Sequence, residues 1–182
     1  MEKIILLESD SIEKTISRLS YEIIEKNPLG EFSIIGIRNR GDVIAKKIKS
    51  KIEETINKKV NFGTIDVTFH RDDYKQHFPS PKIGASEILF EIEGATLILV
   101  DDVLFTGRTI RSAMDEIFSF GRPSSIQLAV LVDRGHREIP IRADYVGKNI
   151  PTNDGEHIAV RLEEIDKKDA VIIITHDHLD KL

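Results

Sequence analysis

The sequence contains no cysteine, which excludes a disulfide framework, a thiolate metal site and a cysteine nucleophile. That absence suits a reducing compartment. Long apolar runs are missing too. No stretch approaches the roughly 20 residues that span a bilayer, and Met1-Glu2-Lys3 leads into only four apolar residues, too few for a signal peptide. The expected location is the cytoplasm, with no membrane partner. Positive charge is the scarcer sign: 26 Lys and Arg stand against 31 Asp and Glu, a formal net charge of −5. A bulk nucleic-acid binder carries the opposite balance, although a local basic face remains compatible with it. Repeats and low-complexity segments are absent. So is a Walker-type loop, since no Gly-x4-Gly-Lys-[Ser/Thr] occurs. His70, His77, His176 and His178 show no metal-site spacing.

What is present is an ordinary globular balance, 40% hydrophobic and 31% charged over 182 residues. That is the size of one domain able to bury a core without staples. Ile4 to Leu7 reads as a short strand. Ser9 or Ser11 is positioned to cap a helix to about Lys26, with Ile12, Ile16, Leu19 and Ile23 on one stripe. Ser33 to Ile37 reads as a buried strand, and about Asp42 to Asn57 as a helix with Ile44, Ile48, Ile52 and Ile56 inward. Val60 to Phe69 alternates like a strand. Residues 71–87 form a long polar loop with Pro79, Pro81 and Gly84; such loops in compact domains tend to be functional. Thr96 to Val100 and Ser125 to Val132 are strands, with a helix from Thr109 to Phe120 between them. Tyr145-Val146, Ile158 to Leu162 and Ala170 to Ile174 complete the set. This alternation predicts an α/β fold with a mainly parallel twisted sheet flanked by helices. The segment 134–157 is expected to form a small cap, or hood, near the carboxyl ends of the strands, where open α/β sheets bind ligands.

The most informative segment is Leu97-Ile98-Leu99-Val100-Asp101-Asp102-Val103-Leu104-Phe105-Thr106-Gly107-Arg108-Thr109. An apolar strand delivers two adjacent carboxylates, and a short loop then opens a helix. The first N–H groups of a helix have no intrahelical partner and favour an anion there, the dipole adding about 0.3–1 kcal/mol. Gly107 lets the backbone approach closely. The hydroxyls of Thr106 and Thr109 can donate to phosphate oxygens. The carboxylates of Asp101 and Asp102 only accept, so they suit neighbouring ribose hydroxyls. They also lie where a hard divalent cation can bridge to a diphosphate through water. An Asp-Asp pair alone could simply cap the next helix. The full string resembles the 5-phosphoribosyl-1-pyrophosphate (PRPP) signature of type I phosphoribosyltransferases. At the position before Thr106, purine enzymes of that group typically carry a carboxylate. Here Phe105 cannot titrate, which speaks against a purine base.

A second strand–loop–helix, Gly36-Ile37-Arg38-Asn39-Arg40-Gly41, suits a leaving pyrophosphate held by backbone N–H groups and by Arg38 or Arg40. His70-Arg71-Asp72-Asp73 opens the long loop. A lid there can exclude water from a cationic transition state, with Arg71 or Lys75 reaching the pyrophosphate.

Residues 121–152, GRPSSIQLAVLVDRGHREIPIRADYVGKNIPT, together with Ile98 to Thr109 and the Arg-Asn-Arg-Gly turn, closely resemble the PyrR family. The resemblance covers nearly the whole chain. It implies a type I phosphoribosyltransferase fold assembled as a homodimer or higher homo-oligomer. It implies the reaction of uracil with PRPP to give UMP and pyrophosphate, with magnesium (Mg2+) entering with PRPP. It also implies UMP-promoted binding to a stem-loop in pyrimidine leader mRNA, favouring transcription termination. Carried onto this chain, Asp101, Asp102, Val103, Leu104, Phe105, Thr106, Gly107, Arg108 and Thr109 are the nucleotide motif. Asp101 and Asp102 touch the metal indirectly and, with Arg71, are the catalytic candidates. Arg38, Asn39, Arg40 and Gly41 are the pyrophosphate loop. The stretch Asp133-Arg134-Gly135-His136-Arg137 and Lys148-Asn149-Ile150-Pro151 matches the cap over the base and part of the RNA face, to which Arg142 also belongs. The chain departs from the family in two places. On the first helix a Thr-Arg pair followed by His becomes Ser17, Arg18 and Tyr21, and the loop 71–87 is somewhat shorter than usual.

Three readings follow. The leading one is an enzyme that makes UMP and regulates pyrimidine genes. The others are an RNA-binding attenuator with little catalysis, resting on Arg18, Arg134, Arg137, Arg142 and Lys148, and a phosphoribosyltransferase for another base.

Overall fold

A computed structural model describes residues 2–67, 86–153 and 155–175. Strand β1 (Glu2–Glu8) runs directly into helix α1 (Ser9–Lys26). Then come β2 (Ser33–Ile37), α2 (Gly41–Ile56) and β3 (Asn61–Ile65), followed by β4 (Thr96–Leu104), α3 (Arg108–Phe120) and β5 (Ser125–Asp133). β6 (Tyr145–Asn149), β7 (Glu156–Arg161), a short α4 (Glu163–Asp166) and β8 (Ala170–Thr175) complete the order.

Five strands form one parallel sheet in the order β3-β2-β4-β5-β6. Parallel strands need helical crossovers, so both faces are covered and each strand must be apolar on both sides. The side chains divide accordingly. Ile34, Ile98, Val100, Ala129 and Leu131 pack with Ile16, Leu19 and Ile23 of α1 and with Ile44, Ile48 and Ile52 of α2. Their neighbours Ile35, Ile37, Leu97, Leu99, Leu128 and Val130 pack with Ile110, Ala113 and Ile117 of α3. The period of two in the strands and of 3.6 in the helices thus builds two cores, one on each face of the sheet.

From β2 the chain passes through α2 to β3 on one side, and from β4 through α3 to β5 on the other. The strand order therefore reverses between β2 and β4, and the loops leaving their carboxyl ends diverge. A crevice opens between them, as at the switch point of any open α/β sheet.

A second, antiparallel sheet has the order β1-β8-β7. Here the architecture differs from the expectation of a cap built from 134–157. The small sheet takes its strands from both ends of the described chain, and only the start of β7 comes from that segment. Tyr145–Asn149 instead adds a fifth strand to the parallel sheet. Two boundaries also shift. β4 extends to Leu104 because Asp101, Val103 and Leu104 stay paired with Val130, Val132 and Asp133. Neither Ser9 nor Ser11 caps α1: with no linker after β1 the N-cap is Glu8, and the Ser9 hydroxyl donates to Asp169 at 3.1 Å. Of the strand expected over Val60 to Phe69, Asn61–Ile65 forms, and 68–69 lie outside the described residues.

Helix α1 is fastened at its carboxyl end. The Asn27 side chain donates to Gln127 Oε1 and to the Tyr145 hydroxyl, each at 3.1 Å, and accepts from Gln127 at 3.0 Å. Tyr145 in turn donates to Gln127. Because the sheet's interior is filled on both faces, Ile98→Ala is expected to cost about 2–5 kcal/mol. Leu89→Ala, at a residue 86% exposed, should change stability by less than about 0.5 kcal/mol. Urea denaturation of both variants checks the contrast.

Candidate active site

The crevice at the switch point holds a cavity of about 480 Å3. Arg40 comes to it from the loop after β2. Asp101, Asp102, Phe105 and Thr109 come from β4 and the turn beyond, and Arg134 from the loop after β5. The other side is the small sheet, through residues 157–161 and Asp166. The sheet built from the chain ends therefore serves as the roof.

On the β4 side, both acids are buried, Asp101 3% and Asp102 7% exposed. Each carboxylate turns back onto the next backbone N–H. Asp101 Oδ1 accepts from Asp102, and Asp102 Oδ1 from Val103, both at 2.9 Å. These bonds offset part of the cost of burying charge. Gly107 then adopts a φ of +94°, a left-handed backbone that side chains resist, and α3 begins at Arg108 with Gly107, which has no side chain, at its cap position. Thr109 lines the cavity. Thr106 is buried instead: its Oγ1 accepts the Arg108 N–H at 3.1 Å, and its carbonyl accepts from Glu138 at 3.0 Å.

The loop after β5 braces this turn. Arg137 donates to the carbonyl oxygens of Phe105 at 2.7 Å, Ile141 at 2.9 Å and Gly135 at 3.2 Å, and also pairs with Asp133. Its guanidinium is thus engaged within the fold, which differs from the expected exposed RNA contact. Arg134 also differs from a solvated basic residue. It is 7% exposed, stacks on Phe105 at 3.9 Å from the ring centroid, and donates to Thr152 Oγ1 at 3.2 Å and the Glu156 carbonyl at 2.8 Å. Burial pushes its pKa below the usual arginine value, with Glu156 opposing. His136 meets the Phe105 ring edge-on, with centroids 6.2 Å apart.

On the β2 side, the Arg38–Asn39 peptide is cis. Arg38 approaches Glu87 at 3.8 Å. Arg40 is held in a fork by Asp166, through Nη2 to Oδ1 at 2.9 Å and Nε to Oδ2 at 3.3 Å. Burial pushes the Asp166 carboxyl up, but the Arg40 bond and the Leu162 N–H outweigh it and hold its pKa below the ordinary value. Gly41 lies so close to β4 that a Cβ there would stand 2.6 Å from the Val100 carbonyl oxygen and 2.9 Å from Asp101 Cα. That approach brings the two loops into one site. In the first turn of α2, Asp42 has a buried Oδ1 with no hydrogen-bond partner.

A phosphoribosyl transferase domain model matches residues 5–165. The chain is 50% identical to the bifunctional protein PyrR of Roseiflexus sp. over 88% of each chain. It is 49% identical to that of Clostridioides difficile over 95% of this chain and 98% of the relative. The chain belongs to the PyrR family of phosphoribosyltransferases. Its fold is also that of the hypoxanthine phosphoribosyltransferase of Trypanosoma cruzi. That structure superposes with a TM-score of 0.71 over 95% of this chain and 97% of the other, at 18% identity.

In this PyrR-family chain the candidates Ser17, Arg18, Tyr21, Arg142 and Lys148 do not line the cavity. Arg18 is half-exposed on α1, pairs with Glu22 at 2.5 Å, and donates to the β6 carbonyls of Val146 at 3.2 Å and Gly147 at 2.5 Å. Tyr21, Arg142 and Lys148 are exposed, and Ser17 is partly so. Arg71, with His70 and Lys75, lies outside the described residues, as does the long loop apart from Ser86 and Glu87. Asp166, Thr152 and Glu156 were not foreseen. The short α4 was not expected either, and nothing local in Glu-Glu-Ile-Asp signals that its last acid meets an arginine 126 positions earlier.

The first turn of α2 yields a pH prediction. Burial raises the Asp42 carboxyl above its ordinary 3.8, against the attraction of Lys46. A raised carboxyl favours the fold below its unfolded value, and that contribution is lost as pH rises through the folded one. Asp42→Asn is therefore expected to stabilise the protein at neutral pH, and the gain should shrink below pH 3.8. Denaturation midpoints at both pH values test this.

Proposed function

We propose that this chain is a uracil phosphoribosyltransferase that also regulates pyrimidine genes through leader mRNA. The carrying observation is the convergence of buried Asp101 and Asp102, the Gly107 turn and Arg40 on one cavity, in a chain about half identical to bifunctional PyrR proteins. In this reading the 5-phosphate of PRPP sits at the amino terminus of α3, with Thr109 and the turn from Thr106. Asp101 and Asp102 accept from the ribose hydroxyls. The loop Arg38-Asn39-Arg40-Gly41 takes the diphosphate.

Uracil N1 bonds to C1 of the sugar as the C1–O bond to diphosphate breaks, and the N1 proton passes to solvent. Phe105, backed by Arg134, offers the base a flat wall and no carboxylate, which supports a pyrimidine. Among the described residues no group of three or more acids and histidines could hold a metal alone. Magnesium would enter with PRPP, where Asp101 and Asp102 would hold it through water and it would neutralise charge on the leaving diphosphate. The whole chain is read as one phosphoribosyltransferase domain, with the small sheet as hood and 71–87 as lid. It is cytoplasmic and works as a homodimer or higher homo-oligomer.

A specific observation supports the regulatory half. The bonds from Arg18 to the Val146 and Gly147 carbonyls tie the α1 residues Ser17 and Tyr21 to the strand that carries Lys148. Arg18, Lys148 and the hydroxyls of Ser17 and Tyr21 on that face can contact RNA phosphates and 2′-hydroxyls.

With magnesium, PRPP and labelled uracil, the protein should form UMP. Turnover with hypoxanthine but not uracil would reject the base assignment. Asp102→Asn should raise KM for PRPP by about tenfold, the loss of one charge-assisted hydrogen bond, with the circular dichroism spectrum unchanged. For the RNA, UMP should tighten binding to a pyrimidine leader stem-loop, and Lys148→Ala should lower the salt slope by about one. Equal affinity for an unrelated hairpin would remove the regulatory claim.

A further inference from the structure

Arg40 reaches the cavity already engaged. Its Nε and Nη2 edge is occupied by the two oxygens of Asp166, at 3.3 and 2.9 Å. Nη1, by contrast, makes no hydrogen bond to any described residue. Both residues line the cavity that also holds Asp101 and Asp102. Asp166 is fixed in turn. Its Oδ2 accepts the Leu162 N–H at 3.0 Å, and its own N–H donates to the Leu162 carbonyl at 2.6 Å. It ends α4, which joins two strands of the small sheet. The pair is three-quarters buried, with side chains 28% and 21% exposed.

From this geometry we infer that Asp166 is a positioning residue: it clamps one edge of Arg40 so that the Nη1 edge meets the diphosphate of PRPP. The inference rests on the reading of 38–41 as the diphosphate loop. A flexible arginine loses side-chain freedom when it binds an anion. The Asp166 fork removes that freedom beforehand, because a bidentate carboxylate fixes both the position and the plane of a guanidinium. Asp166 has a second consequence for anion binding. Its negative charge lies near the diphosphate, so the clamp must contribute more through orientation than it loses through repulsion. The opposite design is a carboxylate that merely occupies Arg40 until diphosphate displaces it. That design would make removal of the charge tighten binding. The two differ in sign.

The test uses the full chain and reads KM for PRPP and inhibition by inorganic pyrophosphate. Asp166→Asn should raise the KM for PRPP and the pyrophosphate concentration that half-inhibits, each by about tenfold, and leave KM for uracil within twofold. Asp166→Glu, which keeps the carboxylate, should restore pyrophosphate inhibition to within about threefold of the parent. A purely structural role for α4 would predict the reverse ranking, since Asn preserves the short cap on the Leu162 N–H and Glu does not. Tighter or unchanged pyrophosphate binding in Asp166→Asn overturns the clamp. If Asp166→Asn does not fold, the Asp166→Glu measurement decides alone: a tenfold loss of pyrophosphate binding overturns the inference. Arg40→Ala separates this from the parent reading. Should Arg40→Ala leave pyrophosphate inhibition unchanged, the diphosphate loop itself is wrong. Should only Arg40→Ala weaken it, the loop stands and Asp166 is not its clamp.

Discussion

No side chain fits between Gly41 and strand β4, and the site depends on that fact. The backbone of the α2 amino terminus lies against the Val100 carbonyl and Asp101 Cα, so even a methyl group would stand under 3 Å from both. The loop after β2 can therefore reach the place where β4 carries its acids. Had the two loops followed the divergence of their crossovers, the crevice would have been wide and the arginine remote from the carboxylates. Gly36 serves the same end from beneath, since a Cβ there would lie 2.4 Å from Asp42 Cα. Two close approaches thus set the depth of the pocket and the distance across it.

The loop after β5 divides its labour between two arginines of one motif. Arg137 faces inward and holds the turn at Phe105 by its carbonyl oxygen, so the turn keeps its shape without a helix cap. Arg134 faces the cavity, with its guanidinium over the Phe105 ring and its donors engaged by Thr152 and the Glu156 carbonyl. Gly135 and His136, between them, both have positive φ, +77° and +57°. That twist lets two arginines three residues apart take opposite directions. A charge count along this stretch suggests a basic surface, whereas burial makes it an internal brace and a cavity wall.

This contrast marks what could be read from the sequence. Helices α1, α2 and α3 and the five inner strands were legible because their signals are local: isoleucines at helical spacing in α1 and α2, and short apolar runs in β2, β4 and β5. The Asp-Asp-x3-Thr-Gly-x-Thr string and the Arg-Asn-Arg-Gly turn were legible for the same reason, and the fold brings both to one cavity. The small sheet was not legible as a unit. It pairs Lys3 with Ile174 and His157 with Ile174, contacts that no periodicity encodes. The extension of β4 depends on pairing with β5, so the acids lie within a strand and not past its end. Asp166 belongs to the same class, a surface-like acid made functional by a partner far away in sequence.

The charge of the molecule then takes on a different meaning. A protein of net charge −5 repels a polyphosphate on average, yet its cavity collects Arg40, Arg134 and Arg161 beside Asp101, Asp102 and Asp166. Formal charges alone nearly cancel there. The helix ends add to this: α2 begins at Gly41 and α3 at Arg108, and the residues at the two cap positions, Arg40 and Gly107, make no side-chain cap hydrogen bond. Two helix amino termini opening on one crevice turn the positive ends of their dipoles towards an anion there, a field strongest within a turn of the helix end. Recognition of an anionic ligand by an acidic chain is therefore a short-range matter, decided by helix ends and one held arginine, and insensitive to the sign of the distant surface.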